Sequence, residues 1–123
     1  MASASDLVRA PWKASADPLA GQLSGDVVWS SARQEGYLRL KALAPNDRKR
    51  AQYQLWIFDP TRDDWEAKPV DGGVFDVAAG GEVVITIEAK LAVRKAALFA
   101  VTLEVPGGVV VSKREHLLAT ASL

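Results

Sequence analysis

One histidine, no cysteine and a thin scatter of acids leave this chain few ways to do chemistry. A lone imidazole cannot build a histidine metal cluster, and without cysteine there is no thiolate ligand, nucleophilic thiol or disulfide. A Ser-His-Asp set would have to use His116, yet no Gly-x-Ser-x-Gly segment exists to present the serine. His116, between Glu115 and Leu117, therefore reads as an ordinary edge or surface residue. The densest acids are Asp59, Asp63 and Asp64. Their hard oxygens suit calcium, but the spacing is not that of a calcium-binding loop and Arg62 sits among them, so a solvated hairpin tip is the simpler reading. The pairs Gly72-Gly73, Gly80-Gly81 and Gly107-Gly108 lack the spacing of a phosphate-binding loop and read as turn glycines. The sequence assigns no catalytic residue, no metal ligand and no cofactor.

The aromatic residues are the one excess. Four tryptophans is a high count for 123 residues. Trp29 and Trp56 fall in strand-like segments and belong in a core. Trp12 and Trp65 lie in less regular stretches and are the candidates for contact with a partner or ligand, where an exposed ring stacks on a sugar or anchors a protein. The competing reading has Trp12 clamping an N-terminal arm and Trp65 covering the end of a sheet.

The elements that would position these residues are strands. Residues 1–25 are rich in Ala, Ser, Pro, Gly and Asp, show no useful period and read as an extended arm. From 26 to 123 the pattern is strand, turn, strand. In Gly36–Leu43 the residues Leu38, Leu40 and Ala42 alternate with Tyr37, Arg39 and Lys41, the period of two of a sheet with one buried face. In Gln52–Asp59 both faces carry large groups: Tyr53, Leu55 and Ile57 on one, Gln54, Trp56 and Phe58 on the other. That predicts a central strand covered on both sides, or one at a lip where an arm or a partner packs. A turn of helix is expected over Leu91–Lys95, a short returning strand from Trp65, and strands over Ala97–Glu104, Val109–Ser112 and His116–Ala121. Seven or eight short strands with frequent turn signals predict an all-β antiparallel sandwich with an N-terminal arm. Its seam would be Tyr53-Leu55-Ile57 on one sheet against Phe99-Val101-Leu103 on the other.

Charge and hydropathy exclude other classes. Fifteen Lys and Arg balance fifteen Asp and Glu, so the chain has no general attraction to a phosphate backbone; the basic run Arg48-Lys49-Arg50 lies in a loop-like stretch, and nucleic acid is not an expected partner. No apolar run reaches the ~18–20 residues that span a bilayer, and no apolar signal-peptide core is read at the N-terminus. This stretch is expected to be soluble by itself.

Several segments together resemble a known family. Asp26-Val27-Val28-Trp29-Ser30, Gln34-x-Gly36-Tyr37, Tyr53-Gln54-Leu55-Trp56, Gly73-Val74-Phe75, and Phe99-Ala100-Val101-Thr102-x-Glu104-x-Pro106-Gly107-Gly108 occur in the order found in the C-terminal domain of anti-sigma-K-factor-type (RskA-like) proteins. The resemblance spans residues 25–111. It implies a domain on the extracytoplasmic (periplasmic) face of the cytoplasmic membrane, preceded by a transmembrane helix and a cytoplasmic sigma-binding segment, with proteolysis releasing the sigma factor. Residues 2–25 would then be the stalk just outside the membrane. The partners implied are proteins outside the membrane, such as a protease or signalling protein, and the sigma factor is reached only through the cytoplasmic segment. The quoted motif residues look structural, and no catalytic or ligand role is carried over. A soluble sugar- or ligand-binding sandwich using Trp12 and Trp65 is the alternative. Val109-Val110-Val111 reads equally well as an internal strand or as an edge that pairs with a second copy.

Overall fold

The computed structural model describes residues 7–78 and 82–123; Gly80-Gly81, read above as a turn, lie outside them. Among the described residues nine strands form two antiparallel sheets: β1 (Val8–Pro11), β2 (Lys13–Ala14), β3 (Ser24–Ser30), β4 (Glu35–Lys41), β5 (Gln52–Phe58), β6 (Val70–Phe75), β7 (Glu82–Thr86), β8 (Leu98–Glu104) and β9 (Leu117–Ser122). One sheet has the order β1-β3-β4-β7 and the other β2-β9-β8-β5-β6. A single turn of 3₁₀ helix, Pro18–Ala20, is capped by the Asp17 carboxylate on the Leu19 amide at 2.9 Å.

The alternation holds in β4 for Leu38 and Leu40, which are buried between the sheets with Val27 and Trp29 of β3 beside them; Ala42, expected on the same face, lies past the end of β4 with φ 61 and is exposed. Facing them from the other sheet are Tyr53, Leu55, Ile57, Phe99, Val101 and Leu118. Fully burying such side chains contributes about 1.5–3 kcal/mol each. The expected seam needs correction, however. Tyr53 pairs with Leu103, Leu55 with Val101 and Ile57 with Phe99 as neighbours within one sheet, so these six side chains form one inner wall and the wall opposite comes from β3 and β4.

Four local readings also differ. Gly72 and Gly73 lie inside β6, at an irregularity opposite Leu55 and Trp56. A Cβ on Gly72 would come within 2.7 Å of the Leu55 side chain, and Gly73 has φ +114, so this pair makes a bulge rather than a turn. Leu91–Lys95 forms no helical turn. Trp65 begins no strand and sits in the turn-rich stretch 60–68. Val109–Ser112 forms no strand, because the Val109 amide and carbonyl are both bonded to the Gln54 side chain, at 3.0 Å each.

The N-terminal stretch is built into the body. β1 lies along β3 with Val8 opposite Trp29, and β2 lies along β9 with Lys13 opposite Thr120. Between them the chain crosses from one sheet to the other at Trp12. Its amide donates to the Gly25 carbonyl at 3.0 Å and its indole N–H to the Asp26 carbonyl at 3.1 Å, and its ring is buried in the main core.

Candidate functional site

The outer faces of the two sheets differ in kind. On the four-stranded sheet the outer face carries ion pairs around an exposed Val84: Arg39 makes a two-pronged contact with Asp26 at 3.2 and 3.3 Å, Arg9 approaches the same carboxylate at 3.9 Å, and Lys41 meets Glu82 at 4.0 Å. The hydrogen bonds to Asp26 raise the already high pKa of Arg39. Such a face is content in water. On the five-stranded sheet, β5 and β8 turn Trp56 and Phe58 outward opposite Ala100 and Leu98, and these rings are nearly as buried as the core. Two loops cover them, residues 59–69 and 105–116, which explains why β5 carries large groups on both faces.

The second loop is fastened by side chains of β5. Gln54 pairs with both backbone groups of Val109, and Gln52 accepts from the Gly107 amide at 2.8 Å while donating to Asp76 at 3.0 Å. Gly108 (φ +77) packs so tightly that a Cβ there would meet Val74 at 2.6 Å and Gln54 Oε1 at 2.7 Å. The hydrogen bonds from Asn46 and Gln52 hold Asp76 below the usual carboxylate range. Further along, Ser112 donates to Glu104 at 2.5 Å, and the Arg114 guanidinium lies 5.1 Å from the centre of the Phe58 ring while donating to the Glu66 carbonyl. A cation over an aromatic face is a favourable contact.

Between the loops an open-topped pocket of about 210 Å³ remains. Trp56, Phe58, Leu98, Ala100 and Leu117 line its apolar part, Trp65 and Pro69 stand on one side, and Glu66, Ser112 and Arg114 border it. The indole N–H of Trp56 is already spent on Thr102 Oγ1 at 2.9 Å, so it offers no donor to a ligand.

Of the two tryptophans singled out from sequence, Trp65 is half-buried at this pocket and Trp12 is 6% exposed in the main core, in a different cluster. The structure does not bring them together, and Trp12 has no ring face free for stacking. Sequence reasoning missed Arg114 and Glu66. They sit in charged, aperiodic stretches, and the only available signal was the two-sided bulk of β5.

The acidic turn is occupied by its own backbone. Asp59 is buried and accepts from the Thr61 amide at 2.9 Å, the Thr61 hydroxyl at 2.7 Å and the Arg94 amide at 2.8 Å; Asp63 and Asp64 are exposed. Among the described residues no group of three or more His, Cys, Asp or Glu side chains is placed to hold a metal ion. His116 Nδ1 lies 3.0 Å from Asp17 Oδ2.

Burial pushes the Asp59 carboxyl up, but the hydrogen bonds from Thr61, Arg94 and Lys95 together outweigh it and hold the pKa below its ordinary value. A carboxyl with a lowered folded-state pKa contributes stability above its unfolded value of about 3.9 and loses it as pH falls through the lower folded value. Asp59→Asn should therefore cost about 1–3 kcal/mol at pH 7, because the Arg94 amide loses its acceptor. The difference between variant and parent should shrink as the pH drops below about 4. Urea unfolding at a series of pH values measures both; a constant gap down to the acid limb would count against this account.

A family model for the C-terminal domain of the anti-sigma-K factor RskA matches residues 2–113. The chain belongs to this family. The RskA C-terminal family is one of regulatory domains of anti-sigma factors. No curated protein and no solved structure gives a significant match. The match takes in β1 and β2, which the motifs quoted from the sequence left out, and stops short of β9. The RskA-type motifs also meet in space: Gln54 of Tyr-Gln-Leu-Trp holds the residue that follows Pro-Gly-Gly, and Gln34 holds the amide and carbonyl of Val93 at 2.9 and 2.6 Å by the same two-bond pairing. They are fasteners of loops, in keeping with a structural role.

Proposed function

We propose that this domain is the extracytoplasmic, non-catalytic regulatory part of a membrane-bound anti-sigma factor, and that its folded state controls cleavage of the segment that leads into it. On this reading a membrane helix and a sigma-binding segment precede it in the intact protein, and the partner outside the membrane is a protease. The observation that carries the reading is the placement of Val8–Ala14. These residues are not a loose stalk but edge strands of both sheets, pinned by Trp12. A protease needs an accessible stretch of chain, and cleavage tracks the population of the opened form when opening and closing are fast. Whatever loosens the sandwich then frees the segment, and the sigma factor follows.

Trp12→Ala in the intact membrane-bound protein tests this. The substitution removes about 3 kcal/mol of packing. That raises the opened population about a hundredfold. Cleavage of the leading segment, followed by immunoblot, should accelerate accordingly, and deletion of the whole domain should also change its rate. A cleavage rate indifferent to both changes would remove the proposal.

A further inference from the structure

We propose that the pocket on the outer face of the five-stranded sheet binds a free amino acid with an aromatic or branched aliphatic side chain. Size comes first. The pocket holds about 210 Å³. A dry apolar cavity of about 150 Å³ admits benzene, whereas drug-sized ligands use roughly 300–1,000 Å³. The space is therefore that of one ring or one branched side chain.

Its chemistry is divided. The floor is Trp56, Ala100 and Leu98, and the Trp56 N–H is spent on Thr102. Thr102 also lines the pocket, its hydroxyl accepting the Trp56 N–H, and the rest of the deep lining is apolar. Most hydroxyl groups of a sugar would be desolvated there without compensation. The lip is the opposite. Arg114 spreads its guanidinium over Phe58 and donates to the main-chain oxygen of Glu66, which leaves other N–H groups free. Glu66 is exposed and lines the same pocket, and its carboxylate forms no ion pair with Arg114 or any other described residue. An exposed cation and an exposed anion thus stand beside an apolar, ring-sized well. A zwitterionic amino acid matches all three: its carboxylate meets Arg114, its ammonium meets Glu66, and its side chain fills the well.

Such a ligand would bridge the loops 59–69 and 105–116, adding to the contact of Arg114 with the Glu66 carbonyl. Binding only the closed form stabilises it by mass action. Use of that stabilisation as a signal rests on the function proposed above; the binding itself does not.

Titration of the 123-residue chain by calorimetry, with tryptophan fluorescence as a second readout, tests the site. L-Phenylalanine and L-leucine should bind, and glycine should not. Phenylalanine amide and N-acetylphenylalanine should each bind at least about tenfold more weakly, since each loses one charge-assisted contact. Arg114→Gln and Glu66→Gln change exposed residues, and each should weaken phenylalanine by a similar factor. Ala100→Leu should fill the well and abolish binding, with circular dichroism reporting whether the sheet survives. No heat or fluorescence change with phenylalanine up to its solubility overturns the proposal. So does binding of the amide and the N-acetyl compound as tight as that of phenylalanine itself, which would mark mere partition of a ring. Neither failure touches the Trp12→Ala cleavage experiment.

Discussion

Trp29→Ala is expected to remove about 3–5 kcal/mol of stability. A domain of ordinary stability has only about 5–15 kcal/mol in total. Trp29 is 0% exposed, stands in β3 between Val8 of β1 and Gly36 of β4, and donates its indole N–H to Ser31 at 3.1 Å. The neighbouring strand is shaped around it. A Cβ on Gly36 would lie 3.0 Å from the indole and 2.2 Å from the Val28 carbonyl, so the backbone of β4 approaches here as only glycine allows. Truncation leaves a cavity walled by two backbones that are fixed by ladder bonds and cannot collapse into it. The measurement is the urea midpoint, with an unchanged slope marking a pure loss of stability. A loss below about 1 kcal/mol, the average for any substitution, would mean that this ring is not the keystone of the four-stranded sheet.

What the sequence made legible follows from what a period of two can carry. It sorts side chains between faces, so it places Leu38 and Leu40 inward and shows the doubled bulk of β5, whose two faces both lie in apolar clusters. It does not tell which strands lie side by side. The alternation places Tyr53-Leu55-Ile57 and Phe99-Val101-Leu103 in one core, but the expected opposite walls fail because β5 and β8 pair side by side in one sheet. Short pairings carry no period at all. β1 has four residues and β2 two, and Pro11 interrupts the stretch, so their place in the sheets depends on partners such as Trp29 and Thr120 far along the chain. Propensity misleads where a side chain takes over the backbone's bonds. Val109-Val110-Val111 is a run of three β-branched residues, yet Gln54 consumes both groups of Val109, the glycines before it hold φ of +85 and +77, and Val110 is left 89% exposed. The pocket depends on that loop, so the sequence shows the bulk of Trp56 and Phe58 on one face of β5 but neither the pocket nor the Arg114 and Glu66 that border it.

Gly25→Ala is expected to be the most damaging single-methyl change, costing at least about 4 kcal/mol. Two penalties add at this position. Gly25 has φ +121, where an L side chain is strained, and its Cβ would sit 2.0 Å from the Arg39 carbonyl oxygen and 2.9 Å from the carbon. That oxygen belongs to the backbone of β4, so no rotamer change relieves the overlap; the strands must part. The Gly25 carbonyl also accepts the Trp12 amide at 3.0 Å, so parting them loosens the crossing that ties β1 and β2 to the body. Gly107→Ala separates the two penalties. Gly107 has φ +85 with nothing within 4 Å of an added Cβ, so this variant bears conformational strain without a clash and should lose only about 1–2 kcal/mol. Thermal and urea unfolding of the pair give the difference. Hydrogen exchange at Val8–Ala14 should rise in Gly25→Ala and stay unchanged in Gly107→Ala. Equal losses in the two variants would show that the close approach of β3 and β4 relaxes cheaply, and the clamp on the N-terminal strands would then have to rest on the Trp12 ring alone.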